Sequence, residues 1–490
     1  MIDLNIQPEQ LGRAIERARE RQIIIPTLAQ QRDPNLIPAK IKEALCHLGL
    51  WDINPLNLFR ITWKNEPIPH GGGFGGVNYL EFPSTLTGVP ARIIALVGKW
   101  FPTGAHKVGA AFGCLVPRLV TGQFDPTSQK AVWPSTGNYC RGGAYDSALL
   151  GCESIAILPE EMSRERFEWL RQVAGEIITT PGGESNVKEI FDKCTELRQS
   201  GENLVIFNQF DEMGNHLWHY YVTGHAIVEV LEHVLGPQDT FFGSVFTTGS
   251  AGTIGCGDYL KEVFPTSQLA ASEALQCPTL LYNGFGAHRI EGIGDKHIPW
   301  IHNIRNTDLV MAIDDEAPIS LIRLFNEEEG RRYLADQGVT ATMLDQLDLL
   351  GISGVANLLS AIKMAKYYEL DEHDVLVTVL TDSMALYQSR LQELNEERGP
   401  FTATKAAEVY HRYLLGVTID HLEELTHLTR KRIHNLKYYT WIEQQGKAQE
   451  ELQAQWYQKD YWASIHAQVA EIDALIAEFN EQTGVLKKYL

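Results

Sequence analysis

The chain has 490 residues, 44% of them hydrophobic and 21% charged, an ordinary globular composition with enough apolar material for two to four lobes. No apolar run reaches the roughly 18 residues of a membrane span, and Met1–Pro26 lacks the continuous apolar stretch of a secretory leader, so neither is expected. A formal net charge of −20 disfavours nucleic acid and anionic membrane surfaces as partners.

The seven cysteines, Cys46, Cys114, Cys140, Cys152, Cys194, Cys256 and Cys277, are scattered and form no C-x-x-C pair. That pattern argues against a disulfide framework and a cysteine zinc site and fits a reducing cytoplasm. No metal site is expected.

Residues 1–79 read as an N-terminal extension with one or two helical patterns and a glycine-rich stretch, His70–Gly76. No clear helix follows that stretch, so it is expected to be a mobile loop or arm. From about Ala91 to Ser389 short apolar runs alternate with helical patterns. The runs include Lys130–Trp133, Ser154–Leu158, Glu176–Thr180, Leu204–Asn208, Phe241–Phe246, Leu269–Ala271, Leu309–Ile313 and Val375–Leu380. Helices are expected over Ser163–Val173, Ser185–Arg198, His216–Val234, Pro318–Glu329 and Ala356–Tyr368. Nearly all-apolar strands alternating with helices predict an α/β fold with parallel sheets covered on both faces. The core is placed at residues 80–395, with a smaller lobe at about 114–235.

Residues 396–490 read as a helical C-terminal extension. Val469, Ile472, Leu475, Ile476 and Phe479 recur at helical spacing, so the last helix has an apolar face that must pack on the body or on another subunit. The segment Arg430–Trp441 interleaves basic and aromatic residues. Against the acidic whole it reads as a solvated helix face with a packed aromatic side.

Four motifs carry chemistry. In Phe101-Pro-Thr-Gly-Ala-His-Lys-Val-Gly-Ala110 small residues run into an apolar helix holding Lys107. Burial there would lower the lysine pKa and free its amine to attack an aldehyde; for the motif alone, a solvated lysine in a first turn is the commoner explanation. Trp133-Pro-Ser-Thr-Gly-Asn138 closes a strand and opens a helix, which suits a carboxylate or an ordinary N-cap. Thr247-Thr-Gly-Ser-Ala-Gly-Thr253 follows an apolar run and precedes a helix, which suits a phosphate or a tight turn. It is neither a nucleotide P-loop nor a clean dinucleotide fingerprint. Thr381-Asp-Ser383 ends the strand Val375–Leu380, where a hydroxyl meets a ligand or caps a helix.

Their order resembles the fold-type II pyridoxal-phosphate enzymes, in particular the cysteine synthase and cystathionine β-synthase branch. The resemblance runs from about Leu80 to Arg390. Thr-Gly-Ala-His-Lys107 is also similar to the lysine motif of tryptophan synthase β subunits. Leu158–Arg166, Asn208-Gln-Phe210, Gly286–Gly294 and Leu380–Ser383 with Tyr387 follow in family order. The resemblance implies two open, twisted, mostly parallel sheets flanked by helices, with pyridoxal 5′-phosphate as cofactor. It implies that Lys107 carries the cofactor as a Schiff base and later acts as the base. Asn138 would bond the cofactor's phenolic oxygen, Gly249, Ser250, Ala251, Gly252 and Thr253 its phosphate, and Ser383 its ring nitrogen. Ser135, Thr136 and Gln209 would bind the substrate carboxylate.

A neutral Ser383 at the ring nitrogen makes a weaker electron sink than an aspartate would, which suits rapid loss of a β leaving group through an aminoacrylate. Asp382 next to it leaves the ionised alternative open. The expected activity is β-elimination or β-replacement on a β-substituted L-amino acid. A serine/threonine-type dehydratase and a non-catalytic scaffold are the alternatives. The sequence departs from the family at Tyr139, Cys140 and Arg141, and Tyr139 or Arg141 is expected to read a further substrate feature such as a second acidic group. The phosphate loop is one residue short, Gly351-Ile-Ser-Gly354 lacks a serine, and the last hundred residues do not resemble tandem regulatory domains. The expected partners are an amino-acid substrate and a second copy of the chain.

Overall fold

Strands that are apolar on both faces belong between layers of helices, and the computed structural model, which describes residues 1–68, 72–184, 186–294 and 296–490, has that α/β arrangement. The larger sheet holds β1 (Tyr79–Phe82), β2 (Arg92–Val97), β7 (Thr240–Thr247), β8 (Gln268–Ala274), β9 (Leu309–Ile313), β10 (Asp374–Leu380) and β11 (Leu422–Glu424). Their spatial order is β1-β2-β10-β7-β8-β9-β11. The five inner strands are parallel, and β1 and β11 are antiparallel edges. The smaller sheet is all parallel: β3 (Lys130–Pro134), β4 (Glu153–Pro159), β5 (Glu176–Thr180) and β6 (Leu204–Ile206), in the order β5-β4-β3-β6.

The insertion of β10 between β2 and β7 positions the site. Strands far apart in sequence become neighbours, and the loops leaving their C-terminal ends open on one crevice. The helix Lys107–Val120 crosses the helix Met213–Trp218 so closely that a Cβ on Gly113 would lie 2.4 Å from the Gly214 carbonyl oxygen. A Cβ on Gly214 would lie 2.0 Å from that of Gly113. Only glycine permits this approach, and it fixes the helix that begins at Lys107.

The C-terminal region is not purely helical as expected. Its three-residue strand β11 pairs with β9, because the outer edge of the large sheet otherwise presents unpaired backbone groups. The apolar face of the last helix, Gln468–Thr483, buries Val469, Ile472, Ile476 and Phe479 on the body of the same chain, beside the helix Pro8–Glu20. Asn480 donates to the Ile25 carbonyl at 2.7 Å and accepts from its N–H at 3.0 Å, so the two termini are stitched together. The expectation of a solvated basic face at Arg430–Trp441 fails at Lys437. Its buried amine donates to Trp300 O at 2.9 Å, His302 O at 2.8 Å and Gln455 Oε1 at 2.7 Å.

His70 and Gly71 lie outside the described residues. The following glycines are tied down: Gly73 N donates to Glu66 Oε2 at 2.7 Å and Phe74 bridges Asn65. Among the described residues no single helix is long and apolar enough to cross a membrane. Asn480→Ala is expected to lower stability by about 1–3 kcal/mol, since it leaves a buried N–H and C=O unpaired. A fall in the thermal unfolding midpoint checks this, and an unchanged midpoint would count against the stitch.

Candidate active site

Lys107 opens its helix directly after a turn in which Thr103 (φ 69°) and Gly104 (φ 72°) are left-handed. The His106 N–H donates to Thr381 O at 3.3 Å, so the end of β10 holds the approach to the lysine. The Lys107 amine donates to Ser250 Oγ at 3.0 Å and to Gln209 Oε1 at 3.3 Å. Burial lowers its pKa to about 8, against the opposing pull of Cys114 and Glu184. A useful fraction of the amine is therefore neutral and nucleophilic near neutral pH.

Ser250 belongs to the loop Gly249–Thr253 that leaves β7. Ala251 is left-handed there at φ 60°. A Cβ on Gly252 would sit 1.9 Å from Asn215 Oδ1, so this position admits only glycine. Asn215 Nδ2 in turn donates to Ser250 Oγ at 3.1 Å and Gln209 O at 2.9 Å, fixing both residues that hold the lysine. Behind the loop a 3₁₀ turn, Thr253–Gly255, leads into the helix Cys256–Val263, whose N-terminal field favours an anion. Ser383, three residues past the end of the neighbouring strand β10, is buried. A buried, readily neutral amine, a small-residue anion cradle and a neutral hydroxyl, all at one sheet edge, fit pyridoxal phosphate. Lys107, Asn138, Gly249, Ser250, Ala251, Gly252, Thr253 and Ser383 would hold it.

Asn138 reaches this crevice from the smaller sheet. Its Nδ2 donates to Asp382 Oδ2 at 2.6 Å, and the Tyr387 hydroxyl donates to the same oxygen at 2.7 Å. Tyr387 accepts from Arg166 Nη2 at 2.8 Å, while Arg166 Nη1 donates to Glu291 Oε2 at 2.6 Å and Thr136 O at 3.2 Å. Asp382 is thus engaged in holding Asn138. Its other oxygen, Oδ1, faces Gly351, where a Cβ would lie 1.9 Å away.

On the substrate side, Ser135 Oγ accepts from Gly137 N at 3.0 Å and from Gln209 Nε2 at 3.5 Å. Lys107, Gln209 and Ser135 therefore form one polar line. The Thr136 hydroxyl donates to Glu184 Oε1. Burial pushes Glu184 up to about 8, against the opposing pull of Arg166 and the Thr136 hydrogen bond.

Two residues expected to bind substrate are buried. Tyr139 lies in the hydrophobic core, its ring 5.4 Å from that of Trp133 in an edge-on contact, because it follows Asn138 on the helix and so points to a different side. Arg141 is fully buried behind Asn138, with Nη1 3.5 Å from Asn138 Oδ1 and its guanidinium 4.8 Å from the Trp169 ring centroid. It lies behind Asn138, and its Nε and Nη2 are buried without a hydrogen-bond partner among the described residues. Sequence reasoning assigned no role to Glu184, Arg166, Glu291 or Asn215. Arg166 and Glu291 lie inside the family-like segments; for Glu184 the only signal was the Gly182-Gly183 turn before it.

Residues 99–382, more than half of the chain, match the family described as pyridoxal-phosphate dependent enzyme, and the protein belongs to that family. The probable cysteine synthase of Bacillus subtilis is 30% identical over 289 residues, covering 59% of this chain and 85% of its own. The cystathionine beta-synthase of Saccharomyces cerevisiae is 26% identical over 319 residues, covering 63% of this chain and 59% of that protein. Among solved structures, a hydrogen sulfide-producing enzyme of Fusobacterium nucleatum is similar at 25% identity and a TM-score of 0.52, covering 65% of this chain and 88% of that one. A cysteine synthase of Entamoeba histolytica shares the fold at 20% identity and a TM-score of 0.55, covering 70% and 93%. Residues 1–98 and 383–490 lie outside the family match, Ser383 by one position.

Reductive methylation of Lys107 in cofactor-free protein, followed by peptide mass spectrometry, is expected to rise with pH to half-maximum near 8, since the neutral amine reacts and burial lowers the pKa. A midpoint above about 10, the range of a solvated lysine, would contradict the desolvated amine.

Proposed function

We propose that the protein catalyses β-elimination or β-replacement on a β-substituted L-amino acid. The observation that carries the proposal is the Lys107 amine, buried and held between Ser250 and Gln209 at the mouth of the phosphate-binding loop. When bound, pyridoxal phosphate supplies an electron sink for the bonding pair released at the substrate Cα. Ser135, Thr136 and Gln209 orient the substrate carboxylate, which sets the Cα–H bond toward Lys107. Lys107, freed from the cofactor, takes the Cα proton; burial has already brought its pKa close to the working range. Ser383 would offer the ring nitrogen of the bound cofactor a neutral hydroxyl, a weaker electron sink that would suit rapid loss of the β substituent. A thiol-class nucleophile then completes a replacement, or water completes an elimination to keto acid and ammonia. The relatives named cysteine synthase and cystathionine beta-synthase support the replacement branch.

The same reading includes a cytoplasmic location, supported by seven free cysteines, and a homodimer, for which the exposed Tyr282 and Phe285 offer an apolar contact. Sedimentation velocity at two concentrations tests the dimer.

With an O-acyl-L-serine, added sulfide is expected to divert product from keto acid to a thiol amino acid, and Lys107→Ala is expected to lower kcat/KM by about 10³-fold or more. Keto acid release from serine or threonine that sulfide leaves unchanged would favour the dehydratase. Full activity in Lys107→Ala would overturn the proposal.

A further inference from the structure

Outside the crevice, three ligand-bearing side chains from distant parts of the chain meet. His216 follows Asn215 in the helix Met213–Trp218, Asp258 lies in the helix behind the phosphate loop, and His466 ends the helix Tyr461–His466 of the C-terminal region. The two Nε2 atoms are 3.1 Å apart, and Asp258 Oδ2 is 3.7 Å from that of His216 and 3.6 Å from that of His466. A single point about 2.0 Å from all three atoms satisfies these separations, which is the Zn–N and Zn–O bond length.

We propose that His216, Asp258 and His466 bind one divalent cation of the zinc class and so pin the C-terminal region to the phosphate-loop helix. Two imidazoles and one carboxylate suit zinc rather than calcium or magnesium, which take oxygen ligands. Outer contacts orient two of the three ligand side chains. Asn303 and Asn306 donate to the two Asp258 oxygens, each at 2.8 Å. Glu262 Oε1 lies 3.7 Å from His466 Nδ1, which favours the proton on Nδ1 and leaves Nε2 bare. The His466 ring stacks on Tyr220 at 3.7 Å between centroids. A surface cavity of about 360 Å³, lined in part by Asp258, Asn303, Trp462 and His466, gives a fourth ligand water a route in.

The pinning reaches the cofactor site through His216. Its ring fills the space beside Gly255, where a Cβ would lie 2.7 Å from Nδ1, and its neighbour Asn215 holds Ser250. The rings stand only 7° from parallel, so the same spacing also accommodates an Nε2–H donating to the other Nε2, with a small turn of the rings needed for a cation. That hydrogen bond alone is the competing outcome.

The test uses full-length holoenzyme stripped with a chelator, then equilibrated with zinc chloride and desalted, with metal content read by mass spectrometry. One equivalent of zinc is expected in the parent protein, with a raised unfolding midpoint, and neither in His466→Gln or Asp258→Asn. X-ray absorption of the zinc-loaded parent is expected to show imidazole and oxygen ligands only; it decides the matter without any variant, should the variants fail to fold. A parent protein that retains no zinc, a variant that retains the full equivalent, or sulfur among the ligands would each overturn the proposal.

Discussion

A lysine amine stays partly neutral near physiological pH only when water is kept away from it, and that exclusion sets the terms for the rest of the structure. Lys107 has the required burial because its helix is locked on one side by the Gly113–Gly214 crossing and on the other by the helix Asn138–Leu149, where a Cβ on Gly142 would lie 2.8 Å from Val108 Cα. With the backbones this close, the amine has few directions left. Ser250 and Gln209 accept its protons, and Asn215 holds both of them.

The crevice is closed by ions that are themselves buried. Arg166, from the smaller lobe, meets Glu291 and Tyr387 of the larger one, and Asn138 meets Asp382. Such groups add little net stability when fully paired, but removing one partner leaves an uncompensated charge at about 3–5 kcal/mol. Geometry is therefore their main contribution. They join the two sheets across the crevice, where Ser135 meets Gln209 and Gln209 meets Lys107.

Much of this was legible in the sequence, because chain order preserves what spacing alone does not. The apolar runs marked β4, β5, β7, β9 and β10 to within a residue or two, since strands buried on both faces leave a plain signal. Lys107, Asn138, Gly249–Thr253 and Ser383 were each ambiguous alone, yet β10 inserted between β2 and β7 brings the segments that follow these strands to one edge, and Asn138 joins them from the smaller sheet. The burial of Tyr139 and Arg141 was not legible, because residues beside Asn138 fan around a helix whose packing the sequence does not record. The strand β11 has too few residues to show a period. Glu184, Arg166, Glu291 and the His216–Asp258–His466 group draw their meaning from neighbours tens to hundreds of residues away, which no local pattern records. Lys437, read as solvated, is buried because three acceptors from other segments surround its amine.

The most direct test of the central claim is to reduce the holoenzyme with borohydride, digest it and locate the phosphopyridoxyl group by mass spectrometry. The expected result is one modification per chain, on the peptide that contains Lys107. A modification on another lysine, or none in protein that retains the cofactor, would contradict the role assigned to Lys107.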